Sequence, residues 1–409
     1  MASPVRRPRN HAVAGRLPDC GGGAHVRRGA GHWESEALSD DRDRGPALAG
    51  RGIGLAVTLF LTPVVACGAG VAGEAQVGDG ATGSNGVHTL TMVLPAGAVD
   101  LAEAAAFESL VESLSMSRIA VEIDAGGRCC DEPASCLAEL QAGTIDVYRS
   151  TVPAIGRLMP ELHVVDVPYL LETDEVVEWV FRGTFFARVR DALLHETGLR
   201  LMALGSAGGW RGIATASQVV RTPADVQGLT LRTADSPVEI AWARAIGALP
   251  EPVLRPALSA HLASGRIDGT ADGVVDVVAA GLQDDLPYLT QDRHGYRAGL
   301  WLMNEEAHQG LPSDLQQLLR AGFDELARLS LARTRERTAE AIAAFEAAGG
   351  RVHVPSAAER RAFVMAAGRV STWYMDEYGY EWLVWLEGAI AEAEREIALT
   401  NARQDEARP

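Results

Sequence analysis

The sequence predicts an α/β protein of two lobes with one long helix bridging both. Three observations carry this. Short β-like runs alternate with helical stretches from Val87 onward, and a second round of the same alternation starts near Gly209. After Leu311 a helical pattern then persists to Gly349-Gly350. About 35 residues at 1.5 Å each make a rod on the order of 50 Å, longer than one small domain. At 409 residues, 47% apolar and 22% charged, the chain can fill two cores of ordinary size.

In chain order, Val87–Leu94 reads as a strand and Asp100–Leu114 as a helix with acids on its polar side; Ile119, Val121 and Ile123 alternate as a second strand. A helix over about Ser135–Ala142 stops at Gly143, and Thr144–Tyr148 returns to strand. His163–Val167, a helix over about Asp174–Thr197, and Leu199–Leu204 continue the rhythm, for a largely parallel sheet. In the second unit Thr222 caps a short helix, and Leu229–Thr233 is a strand. Pro237–Ile246 is a helix ending at Gly247, and another over about Pro256–Ser264 stops at Gly265. Ile267–Thr270 and Tyr296–Met303 are further strands. Ser313 with Gln316, and Ser356 with Glu359, have capping-box spacing, and Leu315, Leu318, Leu319, Leu326 and Leu329 share one helix face. The aromatic cluster Trp373, Tyr374, Tyr378, Trp382 and Trp385 is expected to dock C-terminal helices onto a lobe.

Before the folded region, Ile53–Ala66 is apolar, follows Arg51 and ends in Val64-Val65-Ala66-Cys67-Gly68. It is too short to span a bilayer but suits the apolar region of a signal peptide. Small residues before a cysteine are similar to the bacterial lipobox, in which Cys67 is acylated and anchors the chain to a membrane. An ordinary signal peptide cleaved near the same place is the alternative. The expected organisation is a disordered or misassigned extension over 1–50, a lipoprotein-type signal peptide over 51–67 and a flexible tether over 68–86. One lobe is expected from 87–208 plus about 299–340, a second from 209–298 plus about 341–398, and a disordered tail over 399–409.

Composition excludes several functions. The chain has no lysine, which removes Schiff-base chemistry and the phosphate-binding lysine of P-loop and kinase sites. Residues 1–66 hold nine arginines and six acids; without them, 28 arginines face 48 acids, a net charge of −20. That field repels phosphate backbones, so no nucleic-acid partner is expected, and any anion site must be a local arginine pocket. Gly68, Gly70 and Gly73 imitate a dinucleotide fingerprint, but a polar Gly-rich tract follows where a helix is required. Neither HExxH nor a nucleophile elbow is present. His294 and His353 stand alone as surface or satisfied polar residues, and Asp146, Asp166 and Asp268 sit where turn and cap duties are common. No catalytic residue and no cofactor is assigned. Cys129, Cys130 and Cys136 precede a helix, and a disulfide from Cys136 to one of the adjacent pair leaves one thiol over. A soft-metal site on three thiols, with no nearby histidine, is the weaker alternative, and Cys20 has no interpretable role.

Three ordered segments resemble the substrate-binding proteins of TRAP (tripartite ATP-independent periplasmic) transporters, over about residues 88–398. The first is LQAGTIDV (Leu140–Val147), with MPEL (Met159–Leu162) and VDVPYLL (Val165–Leu171). The second runs from GGWR (Gly208–Arg211) through TPADVQGLTLR (Thr222–Arg232). The third is IGALP (Ile246–Pro250) with LASGRIDG (Leu262–Gly269). The resemblance implies a periplasmic-binding-protein-like fold closing on a ligand, and a membrane permease driven by an ion gradient as partner. It implies Arg232 as the main ligand residue, a guanidinium fork gripping the carboxylate of a small organic acid, with Arg211 assisting. Trp210 would wall the pocket or simply pack, and Tyr148 joins the candidate ligand residues. Two departures stand out. Asp272 lies where many relatives place asparagine, and would repel an acid unless it pairs with Arg211 or Arg232, receives a hydroxyl or meets a cationic group. Ala257 lies where relatives often carry glutamate. A hydroxy acid, sugar acid or zwitterion is therefore as reasonable as a plain dicarboxylate. A sensory or accessory binding lipoprotein of the same fold is the alternative to a transport role.

Overall fold

The structure, a computed structural model, describes residues 86–95 and 97–406. The expected extension, signal peptide, Cys20, Cys67 and nearly all of the tether lie outside the described residues. The first unit runs β1 (His88–Val93), α1 (Leu101–Leu114), β2 (Ile119–Asp124), α2 (Pro133–Ala142), β3 (Val147–Thr151) and α3 (Val152–Ile155). Local chemistry sets these ends: Pro133 occupies the first turn of α2, and Gly143 closes it at φ 74°. After a 3-10 segment over Pro160–Asp166 come α4 (Asp174–Arg182), α5 (Thr184–Thr197) and β4 (Leu199–Trp210).

Two expectations fail here. The run His163–Val167 is not a strand but the end of that 3-10 segment, which starts at Pro160 and packs five buried residues. The helix expected over Asp174–Thr197 is two, because Gly183 between them is extended at φ −91° and ψ −153°.

The chain then passes through β5 (Ile213–Thr215), β6 (Thr230–Thr233), α6 (Pro237–Ile246), β7 (Leu249–Pro252), α7 (Leu258–Ala263), β8 (Gly269–Thr270), α8 (Val274–Ala279) and β9 (Tyr288–Thr290). It returns through β10 (Tyr296–Asn304) and α9 (Glu305–Gln309) to α10 (Ser313–Ala347), and ends with β11 (Arg351–His353), α11 (Ala357–Ala367), α12 (Arg369–Tyr378) and α13 (Glu381–Glu406). Two sheets result, in the orders β2-β1-β3-β10-β4 and β11-β9-β5-β8-β6-β7. Each belongs to one lobe of a two-lobed α/β fold. In the first, β1 pairs parallel with β2 and β3, while β10 runs antiparallel to β3 and β4. In the second, β6 is parallel to β7 and β8, and β5 is antiparallel to β8 and β9.

Helix α10 bridges the lobes. Its first half puts Leu315, Leu319, Phe323 and Leu326 into a core with Phe107 and Val111 of α1, and the Phe107 and Phe323 rings lie 4.5 Å apart. Its last turns place Ala341 and Phe345 in a separate core with Leu258, Val275 and Leu289 of the second lobe. In between it lies against β4, where small residues are obligatory. A Cβ on Gly205 would fall 2.3 Å from Ser330 Oγ, and one on Gly209 (φ 79°) 2.6 Å from Thr334 Cγ2. The Ser206 N–H donates to Ser330 Oγ at 3.1 Å. Ser313 does not cap α10: Pro312 holds the cap position and Gln316 Nε2 donates instead to the Leu311 carbonyl. The Ser356–Glu359 capping box of α11 is present.

The C-terminal helices clasp both lobes. Helices α11 and α12 pack on α6 of the second lobe, while α13 packs on α4 and α5 of the first. The segment expected wholly in the second lobe is therefore shared. Helix α13 also continues through Glu406, so the expected disorder from residue 399 is replaced by helix over 399–406. No described helix is long and apolar enough to cross a membrane.

Candidate functional site

A cavity of about 240 Å³ opens between the two sheets. Tyr148, Arg149, Val152 and Asp166 line it from the first lobe; Arg211, Arg232, Arg255, Asp272 and Asp276 line it from the second, and Arg297 reaches it from β10. Tyr148, Arg211, Arg232 and Asp272 are thus brought together. Trp210 is not among the lining residues. It turns away from the cavity, where its indole N–H donates to Asp174 Oδ1 at 3.0 Å and its ring meets Tyr296 edge-on at 5.1 Å. Alternation explains the split: Trp210 and Arg211 are neighbours at the end of an extended strand and point to opposite sides.

Arg232 ends up in the cavity because β6 carries Leu231 into the core and turns the next residue over. Its Nε donates to the Val253 carbonyl at 2.8 Å, and its Nη1 reaches both oxygens of Asp272 at 3.1 and 2.9 Å. Its Nη2 makes no hydrogen bond to a described residue. Asp272 is held on several sides: Arg255 Nη2 donates to it at 2.6 Å and Thr270 Oγ1 at 2.7 Å, with Arg297 3.8 Å away. Burial alone would push this carboxyl up, but Arg232 and Arg255 hold it well below the usual carboxylate range. One turn on, Asp276 takes Arg255 Nη1 and, at 2.7 Å, Arg297 Nη1. Burial and the neighbouring Asp272 charge push Asp276 up despite Arg255. Gly208, at φ 150°, leaves room for this pair, since a Cβ there would sit 3.2 Å from both Asp276 oxygens. So Asp272 is a built-in counter-ion for Arg232.

Around Arg211 the pattern differs. Its Nη2 pairs with Glu239 of α6 at 2.6 Å, while Asp166 lies 3.9 Å away. Asp166 receives no hydrogen bond from a described residue, and its Oδ2 is buried with no partner among them. Burial pushes it up to about 7, against the pull of Arg211 and with the push of Glu239. Asp146 and Asp268, the other two acids expected at strand ends, do accept backbone N–H groups, from Thr91 and Thr230, both at 2.8 Å. Opposite, Arg149 forks onto Asp100 with both contacts at 3.0 Å, and burial pushes the Tyr148 hydroxyl up to about 12. At the mouth, Arg157 and Asp235 join the lobes at 2.6 Å. Desolvation is what raises Asp166 and Tyr148, and a small, charge-lined cleft suits an ionic ligand.

Arg149, Arg255, Arg297, Asp276 and Glu239 were not singled out from sequence. Arg297 left a signal, a charge inside a largely apolar strand; Arg149, beside Ser150 and Thr151, and Arg255, on an irregular turn, left none. His294 is buried, bonded to Asp292 at 3.0 Å and stacked on Trp242 at 3.7 Å. Cys136 pairs with Cys130, with Cα atoms 5.2 Å apart, and Cys129 is not a leftover thiol because it has an interaction of its own. Among the described residues no group of His, Cys, Asp or Glu is arranged to hold a metal ion.

The family described as bacterial extracellular solute-binding protein, family 7 (DctP) matches residues 90–376. The 2,3-diketo-L-gulonate-binding periplasmic protein YiaO of Escherichia coli is 28% identical over 232 residues, covering 57% of this chain and 70% of that protein. The C4-dicarboxylate-binding periplasmic protein DctP of Rhodobacter capsulatus is 24% identical over 300 residues, covering 71% and 86%. Among solved structures, a TRAP periplasmic solute-binding protein from Bordetella bronchispeptica, with density interpreted as pantoate, is 26% identical with a TM-score of 0.67, covering 73% of this chain and 98% of that one. The sugar acid binding protein DctPAm from Advenella mimigardefordensis, in complex with galactonate, shares the fold at a TM-score of 0.70 and 19% identity, covering 75% and 99%. The chain belongs to the bacterial extracellular solute-binding protein family 7, the TRAP solute-binding proteins, whose members are substrate-binding transport proteins rather than enzymes.

Proposed function

We propose that the protein captures a small organic acid between its lobes, outside the cytoplasm, and delivers it to the membrane subunits of an ion-gradient-driven TRAP transporter. The observation that carries this is Arg232, buried at the cavity with Nη2 free to donate while Nε and Nη1 are fixed by protein. A carboxylate there gains a charge-assisted hydrogen bond from an arginine already held in place. Relatives that bind 2,3-diketo-L-gulonate, or whose structures hold pantoate or galactonate, support an acid bearing hydroxyl or keto groups. The cleft's charges favour the same class. Its five buried or half-buried arginines already face five acids, Asp100, Glu239, Asp272 and Asp276 at 2.5 to 3.0 Å and Asp166 at 3.9 Å. With these charges already balanced, each ligand carboxylate adds net negative charge, so one is favoured over two, whereas hydroxyls can donate to the acids present.

Arg211 and Tyr148 complete the pocket in this reading, and the Cys130–Cys136 disulfide suits an oxidising compartment. The apolar run ending at Cys67 supports export and acylation of that cysteine, with the protein held at the membrane by lipid. A thermal-shift screen over organic acids, followed by calorimetry on the hits, tests the ligand. Micromolar or tighter binding of a hydroxy or keto monocarboxylate is expected, and a screen with no stabilising acid refutes the reading. Cys67→Ala is expected to move the protein from the membrane to the soluble fraction.

A further inference from the structure

Resting on the organic-acid reading, we propose that Asp166 is a ligand-contacting group of the cleft that takes up one proton when an anionic ligand binds, and donates that proton to the ligand as a hydrogen bond. The geometry singles it out. Every other buried acid of the cleft has a donor: Asp100 has Arg149, Glu239 the Ala234 N–H at 2.9 Å, Asp272 has Arg232, Arg255 and Thr270, and Asp276 has Arg255 and Arg297. Asp166 has none among the described residues, only Arg211 at 3.9 Å, and Arg211 lies nearer Glu239, at 2.6 Å. Its side chain is 3% exposed and borders the cavity. A buried carboxylate without donors costs several kcal/mol by desolvation, and protonation removes most of that cost.

The surroundings fix the direction of the effect. Facing Asp166 are Arg211 beyond β4, Glu239 of α6 and His163 one turn back on its own 3-10 segment. Burial drives His163 down to about 4, so that ring brings no positive charge near neutrality. Tyr148 and Arg149 of β3 and Arg297 of β10 line the same cavity; behind the segment are Tyr374 and Tyr378 of α12. The arginines lie closer to other acids, so an entering carboxylate finds in Asp166 the buried acid they hold least. Burial already pushes Asp166 up to about 7 without ligand, and a second anion in the same low-dielectric space pushes it further. The overall step is ligand–COO⁻ plus Asp166–COO⁻ plus one solvent proton giving Asp166–COOH···⁻OOC–ligand; charge and atoms balance with no other reactant.

The test is calorimetry of the intact protein with pantoate, D-erythronate and galactonate, in buffers of differing ionisation enthalpy. Above pH 7 the expected uptake approaches one proton per ligand, and Kd weakens by about tenfold per pH unit between pH 7.5 and 9. Asp166→Asn, a neutral isostere, should bind with a pH-independent Kd and no proton uptake. Glu239→Gln frees Arg211 to serve Asp166, so its proton uptake should fall at neutral pH while binding remains. Binding of an acid with no proton uptake, or an Asp166→Asn variant that keeps the wild-type pH slope, overturns this inference and leaves the organic-acid reading standing. No binding of any acid overturns both.

Discussion

The two sides of the cleft solve the same electrostatic problem differently. Behind Arg232, three arginines and two aspartates are interlocked, with close contacts of 2.5 to 3.1 Å among Arg232, Arg255, Arg297, Asp272 and Asp276. Behind Arg211, one arginine faces two acids, 2.6 Å from Glu239 and 3.9 Å from Asp166. Charges removed from water are tolerated when geometry and hydrogen bonding return what solvation gave. The first cluster meets that condition before any ligand arrives, so a ligand there competes with an internal carboxylate. The second does not, and so has something to gain from a ligand or a proton. A high charge density therefore does not by itself mark where a ligand gains most; the unsatisfied member of a network does.

The contrast can be broken most severely at Asp272. Asp272→Ala strips the shared counter-ion from Arg232 and Arg255, and should destabilise the ligand-free protein by roughly 3–5 kcal/mol in urea unfolding. A loss under about 1 kcal/mol would mean that the interlocked cluster contributes little. Asp272→Asn keeps the shape and removes the charge. It should strengthen binding of simple carboxylates such as acetate, and weaker binding would show instead that the aspartate helps hold the ligand.

Asp166 should respond in the opposite sense. Its carboxyl is raised in the folded protein, so between about pH 4 and pH 7 the folded state keeps a proton that the unfolded state has lost. This contribution to stability is present below pH 4 and is lost as pH rises through 7. Asp166→Asn should therefore raise Tm at pH 8 by a few degrees and change it little at pH 4. A Tm that falls at both pH values would mean that the charged carboxylate is wanted.

The smallest effect is expected at the mouth. Arg157 and Asp235 are more than half exposed, and a pair of that kind stabilises by about 0–1 kcal/mol. Because it joins the two lobes, Arg157→Ala should speed ligand release by no more than about fivefold in stopped-flow displacement.

Much of the fold was legible from particular residues. Helix α6 spans Pro237–Ile246 and closes on Gly247 as expected, because a first-turn proline and a left-handed glycine are local devices that need no tertiary context. The long α10 was legible for the same reason, as a periodic pattern closed by Gly349-Gly350. The errors lie where context decides. The apolar run at His163–Val167 is buried as expected, but burial does not distinguish a strand from a 3-10 turn. Gly183 interrupts a helix that periodicity alone would continue. In the site, Arg211, Arg232, Asp272 and Tyr148 do line one cavity, whereas Trp210 faces the other way by strand alternation. Arg149, Arg255, Arg297 and Glu239 come from four separate elements, and only folding shows which acids they leave unmatched.

The central claim is that Arg232 holds the ligand's carboxylate. Native mass spectrometry can identify the acid that co-purifies, and calorimetry can then compare that acid on the wild type and on Arg232→Ala. Arg255 still partners Asp272 in the variant, so the comparison reads binding rather than collapse. A loss of roughly 2–5 kcal/mol, about thirtyfold or more in Kd, is expected. Unchanged affinity for the same acid would contradict the claim.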